Sequence, residues 1–214
     1  MFSPAEVERI LAALSRRYPR GERPWAEKSD PFRTLIGTIL SAQTTDAQVD
    51  LVTPNLFSAY PTPAKLASAK KRSVEKIIKS VGLYQAKTKN IVAAAKTLVE
   101  KFGGKVPGTL EELTELAGVG RKTANVLLIK SFGVPAMPVD THVFRVANRI
   151  GLARAATPEK TEKALTKIIP RRKLGAAHFW LINHGRTLCA ARNPRCWECP
   201  ISHLCLFAMH KKIR

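Results

Sequence analysis

Leu116-Ala117-Gly118-Val119-Gly120-Arg121-Lys122-Thr123-Ala124 decides how this chain is read. Upstream of it, Thr109-x-x-Glu112 is a capping box that starts a helix running to about residue 116. Downstream, an apolar helix is predicted over 123–132, closed by Gly133. Glycines let the joining turn take positive φ and let another backbone come close. The second helix begins at that turn, so unpaired N–H groups and the positive end of the helix dipole face outward. Such an end grips a phosphate without reading a sequence, and Arg121 and Lys122 add charge there. An ordinary helical hairpin with glycine caps has the same local pattern, so the turn alone leaves both readings open.

Outward from the turn, nearly every segment has helical periodicity. Ser3-Pro4-Ala5-Glu6 is a capping box, followed by Val7, Ile10, Leu11 and Leu14 and a stop before Pro19. The stretch 19–29 is charged and rich in Pro and Gly, and reads as a linker. Asp30-Pro31 opens a helix with Phe32, Leu35, Ile36, Ile39 and Leu40 on one face; a polar loop spans 41–45, and Asp46 is expected to cap a helix to about residue 59. A short helix is expected over 64–69, another over 73–82, and a longer one after Gln85, with Ile91, Val92, Ala95, Leu98 and Val99, ending at Phe102 before Gly103-Gly104. Pro135 and Pro138 make an extended connector to Asp140, which caps a helix carrying Val143, Val146, Ala147 and Ile150. Thr157-Pro158 starts a further helix, and 178–188 reads as the last long one. Period-2 alternation is nearly absent, so the fold class is all-α, with roughly ten helices and short loops.

Apolar residues make up 45% of 214, enough for one large packed domain or two small ones. Lys and Arg number 36 against 16 Asp and Glu, a formal charge of +20. That excess repels itself within a fold and attracts a polyanion, so nucleic acid is the expected partner; a solvated basic face is the plainer alternative. No apolar run approaches ~20 residues, so no membrane span is expected. The first six residues lack the charged and apolar regions of a secretory signal, and the expectation is an intracellular, reducing compartment. There, clustered cysteines bind metal more often than they pair.

All four cysteines, Cys189, Cys196, Cys199 and Cys205, lie in one run spaced C-x6-C-x2-C-x5-C. Four thiolates so close suggest one metal or cluster site, and the spacing leaves zinc and [4Fe–4S] both open. Arg192 and Arg195 between the first two cysteines, with Arg186 just before, put positive charge on a loop stapled at both ends, suited to phosphate. Lys122, at the start of an apolar helix, is expected in a positive and partly desolvated place; both effects favour the uncharged amine, which is a nucleophile and forms Schiff bases. Asp140, at the other helix start, could take a lysine proton or stabilise developing positive charge. Taken singly, the residues favour the plainer reading: Lys122 as one more phosphate contact and Asp140 as a helix cap.

The run 116–125, then Val139-Asp140-Thr141-His142-Val143-Phe144-Arg145-Val146, then the four-cysteine spacing, resembles the endonuclease III family of DNA glycosylases. Ser41-Ala42-Gln43-Thr44-Thr45-Asp46 and Gly82-Leu83-Tyr84 match the same family in the same order, so the resemblance covers nearly the whole chain. It departs at Ala117, where the family usually has proline. The resemblance implies two helical domains, 24–134 with the helix-hairpin-helix motif and 1–23 plus 135–214 with the cysteine loop at 189–205, and DNA in a groove between them.

It also implies a bifunctional DNA glycosylase and AP lyase of base excision repair, with Lys122 and Asp140 catalytic. The Lys122 amine attacks C1′ of the damaged nucleotide, and β-elimination then cuts the strand on its 3′ side. The implied substrates are mainly oxidised or ring-saturated pyrimidines, and abasic sites, in double-stranded DNA. The base must leave the stack; Gln43 then pairs with the orphaned base and Leu83 wedges into the gap. His142 shapes the pocket or touches phosphate. Gly118, Val119, Gly120, Arg121, Thr123, Arg186, Arg192 and Arg195 contact the DNA. The four cysteines hold a [4Fe–4S] cluster that positions DNA rather than reacting. The expected state is a monomer in the cytoplasm, on the nucleoid in a bacterium. Competing expectations are a non-catalytic iron–sulfur DNA-binding protein, and a glycosylase specialised for pyrimidine dimers or mismatched thymine.

Overall fold

The computed structural model describes residues 2–19 and 30–210, so nearly all of the linker expected at 19–29 lies outside the described residues. The chain divides into two compact units, Lys28–Gly133 and Met1–Glu27 with Val134–Arg214. Among the described residues there are helices and turns but no strand, and the all-α expectation is borne out. None of the described helices is long and apolar enough to cross a membrane.

Helix α1 (Pro4–Arg17) starts at the Ser3 capping box: Ser3 Oγ accepts from the Glu6 amide, and the Glu6 carboxylate accepts from the Ser3 amide at 2.7 Å. It buries Val7, Ile10, Leu11 and Leu14. The chain then forms the unit 28–133 from α2 (Pro31–Leu40), α3 (Asp46–Ala59), α4 (Pro63–Ala67), α5 (Lys71–Ile78), α6 (Tyr84–Phe102), α7 (Leu110–Thr114) and α8 (Arg121–Phe132). Asp30 Oδ1 caps α2 by accepting from the amides of Phe32 and Arg33. The five apolar residues expected on one face of α2 are all buried, where α2 packs on α6 and α8. Helices α4 and α5 lie on α6, and α7 on α8.

Several boundaries differ from expectation. Thr45, not Asp46, caps α3, its hydroxyl accepting from the Gln48 amide at 3.3 Å. Helix α5 begins at Lys71 and stops at Ile78, well short of Gly82, because Val81 N turns back onto Ile78 O. Helix α6 starts immediately after Leu83, which is its N-cap. At Thr109 the box is only half formed: Glu112 accepts from the threonine hydroxyl rather than from its backbone amide. Helix α8 starts two residues early, at Arg121, because its first turn is polar and escapes an apolar pattern.

The second unit adds α9 (Thr141–Ile150), α10 (Pro158–Ile168), α11 (Leu174–Thr187) and α12 (Leu206–His210). Helix α11 packs on α9 and α1, and α10 and α12 lie on α9. The core joins Ile10 and Leu14 to Val143, Val146, Leu165, Trp180 and Leu181. Helix α11 begins four residues before the expected 178. A 3-10 turn at Arg171–Lys173 runs straight into it, and no side chain caps it, so no boundary signal exists in the sequence.

Two glycines should respond oppositely to alanine. Gly151, which ends α9, sits at φ +100°, and a Cβ there would stand 2.4 Å from Leu206 Cδ1. Gly37 lies inside α2 with nothing within 4 Å of the added atom. Gly37→Ala should stabilise by about 0.5–1 kcal/mol, whereas Gly151→Ala should destabilise by about 1 kcal/mol or more. Chemical denaturation followed by circular dichroism reads both.

Candidate nucleic-acid interface and cysteine pocket

The hairpin turn is fixed by one backbone choice. Gly118 takes φ +80°, and a Cβ there would come 3.0 Å from Asn90 Cβ on α6. Val119 donates its amide to Leu116 O at 3.0 Å and buries its side chain, so it holds the turn from inside. Gly120 is the extended N-cap of α8 and offers no capping side chain. The amides of Lys122 and Thr123 therefore stand at an uncapped helix start, where the partial positive charge attracts anions. Lys122 is exposed, so the expected partial desolvation is absent; what remains is the helix start and the neighbouring Arg121.

Two other turns in the same unit share an unusual backbone. Gln43 at φ 53° and Leu83 at φ 57° are left-handed without being glycine. Each such residue costs on the order of 1–3 kcal/mol and persists only where its surroundings hold it. Leu83 is 62% exposed, which removes core packing as its explanation. Gln43 is exposed as well. The turns meet at Gly82, where an added Cβ would lie 3.4 Å from the Gln43 carbonyl.

In the other unit, Asp140 Oδ1 accepts from the Val143 amide at 2.8 Å and caps α9. The approach to it is pinned by His178, whose Nδ1–H donates to Pro138 O at 2.7 Å. His142 Nδ1 lies 3.2 Å from Arg145 Nη2. A guanidinium can only donate, so Nδ1 accepts and the ring proton of a neutral His142 sits on Nε2.

All four cysteines line one pocket, with Ile150, Leu188, Ile201, Phe207 and His184 among its walls and no carboxylate. Four thiol donors around one mostly apolar pocket, with no carboxylate among its walls, suit a soft, thiolate-bound metal or iron–sulfur group. Burial pushes the Cys199 thiol up to about 11, with the other cysteines adding to it, and burial raises Cys205 too. Binding must therefore displace protons from these thiols. His184 touches Cys199 Sγ at 3.6 Å through Nε2 and Tyr18 OH at 3.2 Å through Nδ1. Burial, then Arg17, lowers its pKa to about 4, so the ring is neutral.

Two arginines one turn apart on α9 hold the start of the loop, and sequence reading missed both. Arg145 donates to the carbonyls of Gly185 (2.8 Å) and Cys189 (3.1 Å). Arg149 donates to Ala190 O (2.6 Å) and Ala191 O (2.9 Å), with Nη1 3.6 Å from Cys189 Sγ. Their i, i+4 spacing opposite the apolar stripe of α9 was the available signal. Arg186 and Arg192 are exposed. Arg195 is also exposed, but it donates to Thr187 O at 3.0 Å and pairs with Glu198 at 3.2 Å, so much of its guanidinium is used within the loop.

Comparison with known proteins agrees along the whole chain. Residues 36–171 match the HhH-GPD superfamily of base excision DNA repair proteins, and residues 189–205 match the iron–sulfur binding domain of endonuclease III. The chain is 47% identical over 206 residues to endonuclease III of Rickettsia conorii, covering 96% of this chain and 98% of that one. It is 42% identical to the Escherichia coli enzyme, covering 91% and 93%. A trapped endonuclease III–DNA covalent intermediate superposes with a TM-score of 0.89 at 40% identity over both full chains. A thermostable thymine-DNA glycosylase follows at 0.84 and 25% identity, covering 96% and 98%. The chain belongs to the HhH-GPD superfamily of base excision repair proteins and, within it, to the endonuclease III family.

Proposed function

We propose that this base excision repair glycosylase and AP lyase removes oxidised or ring-saturated pyrimidines from double-stranded DNA, with Lys122 as nucleophile and Asp140 as its acid–base partner. The observation that carries the reading is Lys122 itself, an exposed amine on the first turn of α8, directly after a phosphate-binding type of hairpin. Nζ bonds to C1′ while the glycosidic bond breaks and the base departs with a proton. The nitrogen lone pair then opens the sugar ring, breaking C1′–O4′ as O4′ takes a proton; the resulting protonated imine acidifies the C2′ hydrogen, whose removal expels the 3′ phosphate, and water releases the lysine. Asp140 takes the ammonium proton at the start and balances positive charge on the sugar. Among the described residues its Oδ2 takes no partner, so it keeps an acceptor for that work. Lys122 is water-exposed in the protein alone, and DNA laid over the hairpin supplies the desolvation. The trapped covalent DNA intermediate of the structural neighbour supports a protein nucleophile that bonds to DNA at this step.

Gln43 and Leu83 fill the space of the extruded nucleotide. Their exposure and strained backbones support that role. The cofactor is a [4Fe–4S] cluster held by Cys189, Cys196, Cys199 and Cys205, which shapes the loop carrying Arg192; attack at C1′ needs no electron from it. The enzyme works as a monomer in the cytoplasm, on the nucleoid.

Borohydride trapping tests the chemistry, because reduction captures only an imine. Lys122→Gln should lose trapping on abasic DNA by at least about 1,000-fold while the Kd for the duplex shifts by about threefold or less. A mutant that still traps would assign the reaction to another lysine. A lesion panel, with thymine glycol beside a pyrimidine dimer and a G·T mismatch, tests the substrate class; preference for either of the latter would overturn it.

Salt dependence tests the interface. Arg121, Arg186 and Arg192 on phosphates should give a slope of log K against log salt of about −2.7. Arg192→Ala should flatten it by about 0.9. Arg195→Ala should flatten it less, since that guanidinium is already paired.

A further inference from the structure

Lys87 occupies the buried stripe of α6 one turn before Ile91, a position where an aliphatic side chain would be expected. It is only 4% exposed. Its ammonium donates to the Leu40 carbonyl at 2.7 Å and to Thr44 Oγ1 at 2.7 Å. Among the described residues no carboxylate pairs with it, and burial lowers its pKa from the ordinary lysine value. What receives the charge is the C-terminal end of α2, where Leu40 is the last helical residue; cations are favoured there.

The two acceptors bracket Gln43 in the chain, three residues before it and one after. The same residue also reaches the other strained turn through its backbone, since the Lys87 amide donates to the Leu83 carbonyl at 3.0 Å. Gly82 completes the junction: a Cβ there would sit 3.4 Å from Gln43 O and 3.5 Å from Thr44 Oγ1. Two left-handed, exposed residues are thus tied through one buried side chain and its own amide.

We propose that Lys87 is a positioning residue that locks the Gln43 turn to the Leu83 turn, so that both side chains enter the duplex as one preformed element. This rests on the reading of Gln43 and Leu83 as the residues that fill the extruded nucleotide's place. Preformed turns need no ordering when DNA binds. With the ammonium gone, Thr44 in the polar loop 41–45 and the Leu40 carbonyl at the end of α2 both lose their bonds to Lys87, and Gln43 relaxes out of its left-handed state. The amine chemistry at Lys122 is untouched, because Lys87 bonds to neither the hairpin nor the substrate.

The test compares borohydride-trapping rates on one abasic strand, either single or in a duplex. The single strand has no stack to open and no orphaned base to satisfy. Lys87→Met should slow the duplex reaction by about tenfold or more and the single-strand reaction by less than about threefold. Thr44→Val, which keeps Lys87 and the local volume, should shift the ratio in the same direction by a smaller factor, and it carries the test alone if Lys87→Met does not fold. In a Gln43→Ala, Leu83→Ala background, Lys87→Met should change the ratio by less than about twofold, since nothing remains to be positioned. Equal losses on both strands, or full additivity in that background, would overturn the proposal and leave Lys87 a stabilising core residue. If the Gln43→Ala, Leu83→Ala protein keeps the wild-type ratio, the reading of those two residues falls, and the role of Lys87 falls with it.

Discussion

The close approach of Gly118 to Asn90 is the constraint on which the nucleic-acid side of the molecule depends. A Cβ at this position would meet both the left-handed backbone and Asn90 Cβ of α6 at 3.0 Å, so glycine is strongly favoured. Because the turn can press that closely, Leu113, Leu116 and Val119 bury beneath it, and α8 starts with its amides outward. Lys122 is placed on the exposed first turn by that start, while Ala124, Leu127 and Leu128 enter the core on the same helix. One glycine therefore sets both the packing of α8 and the position of its amine. Ala117, in place of the family's usual proline, precedes the turn without entering this constraint.

In the other unit α9 plays a comparable part with two faces. Val143, Val146, Ala147 and Ile150 fix it in the core. Asp140 caps its N-terminus, and Arg145 and Arg149 reach from its flank to the carbonyls of Gly185, Cys189, Ala190 and Ala191. The acidic residue and the first cysteine thus hang from one short, rigid helix. A ten-residue helix is about 15 Å long, so a carboxylate at one end and a cysteine loop at the other keep a fixed separation.

The electrostatics of the two regions are opposed in kind. Exposed Lys and Arg act through water and over distance, as a field that salt weakens. The cysteine pocket acts at contact: buried thiols hold their protons tightly, the adjacent histidine is neutral, and a guanidinium nitrogen stands 3.6 Å from Cys189 Sγ. Iron binding there replaces protons with a group whose charge the apolar walls cannot screen. That couples the fold of the loop to the presence of its cofactor.

By itself the sequence determined the helical class, most apolar stripes, the hairpin, the Asp140 cap and the cysteine set. All of these are local, written in spacings of two to seven residues or in the chemistry of single caps. Tertiary structure alone decided the rest. The start of α11 at Leu174 carries no capping residue to announce it. The exposure of Lys122 depends on what the rest of the chain leaves uncovered. The left-handed states of Gln43 and Leu83 are set by neighbours in space, since neither residue type favours them. Lys87, Arg145 and Arg149 read along the chain as ordinary basic residues in a basic protein. Their partners lie 40 to 47 residues away in sequence, and hydrogen bonds across such separations exist only once the helices have packed.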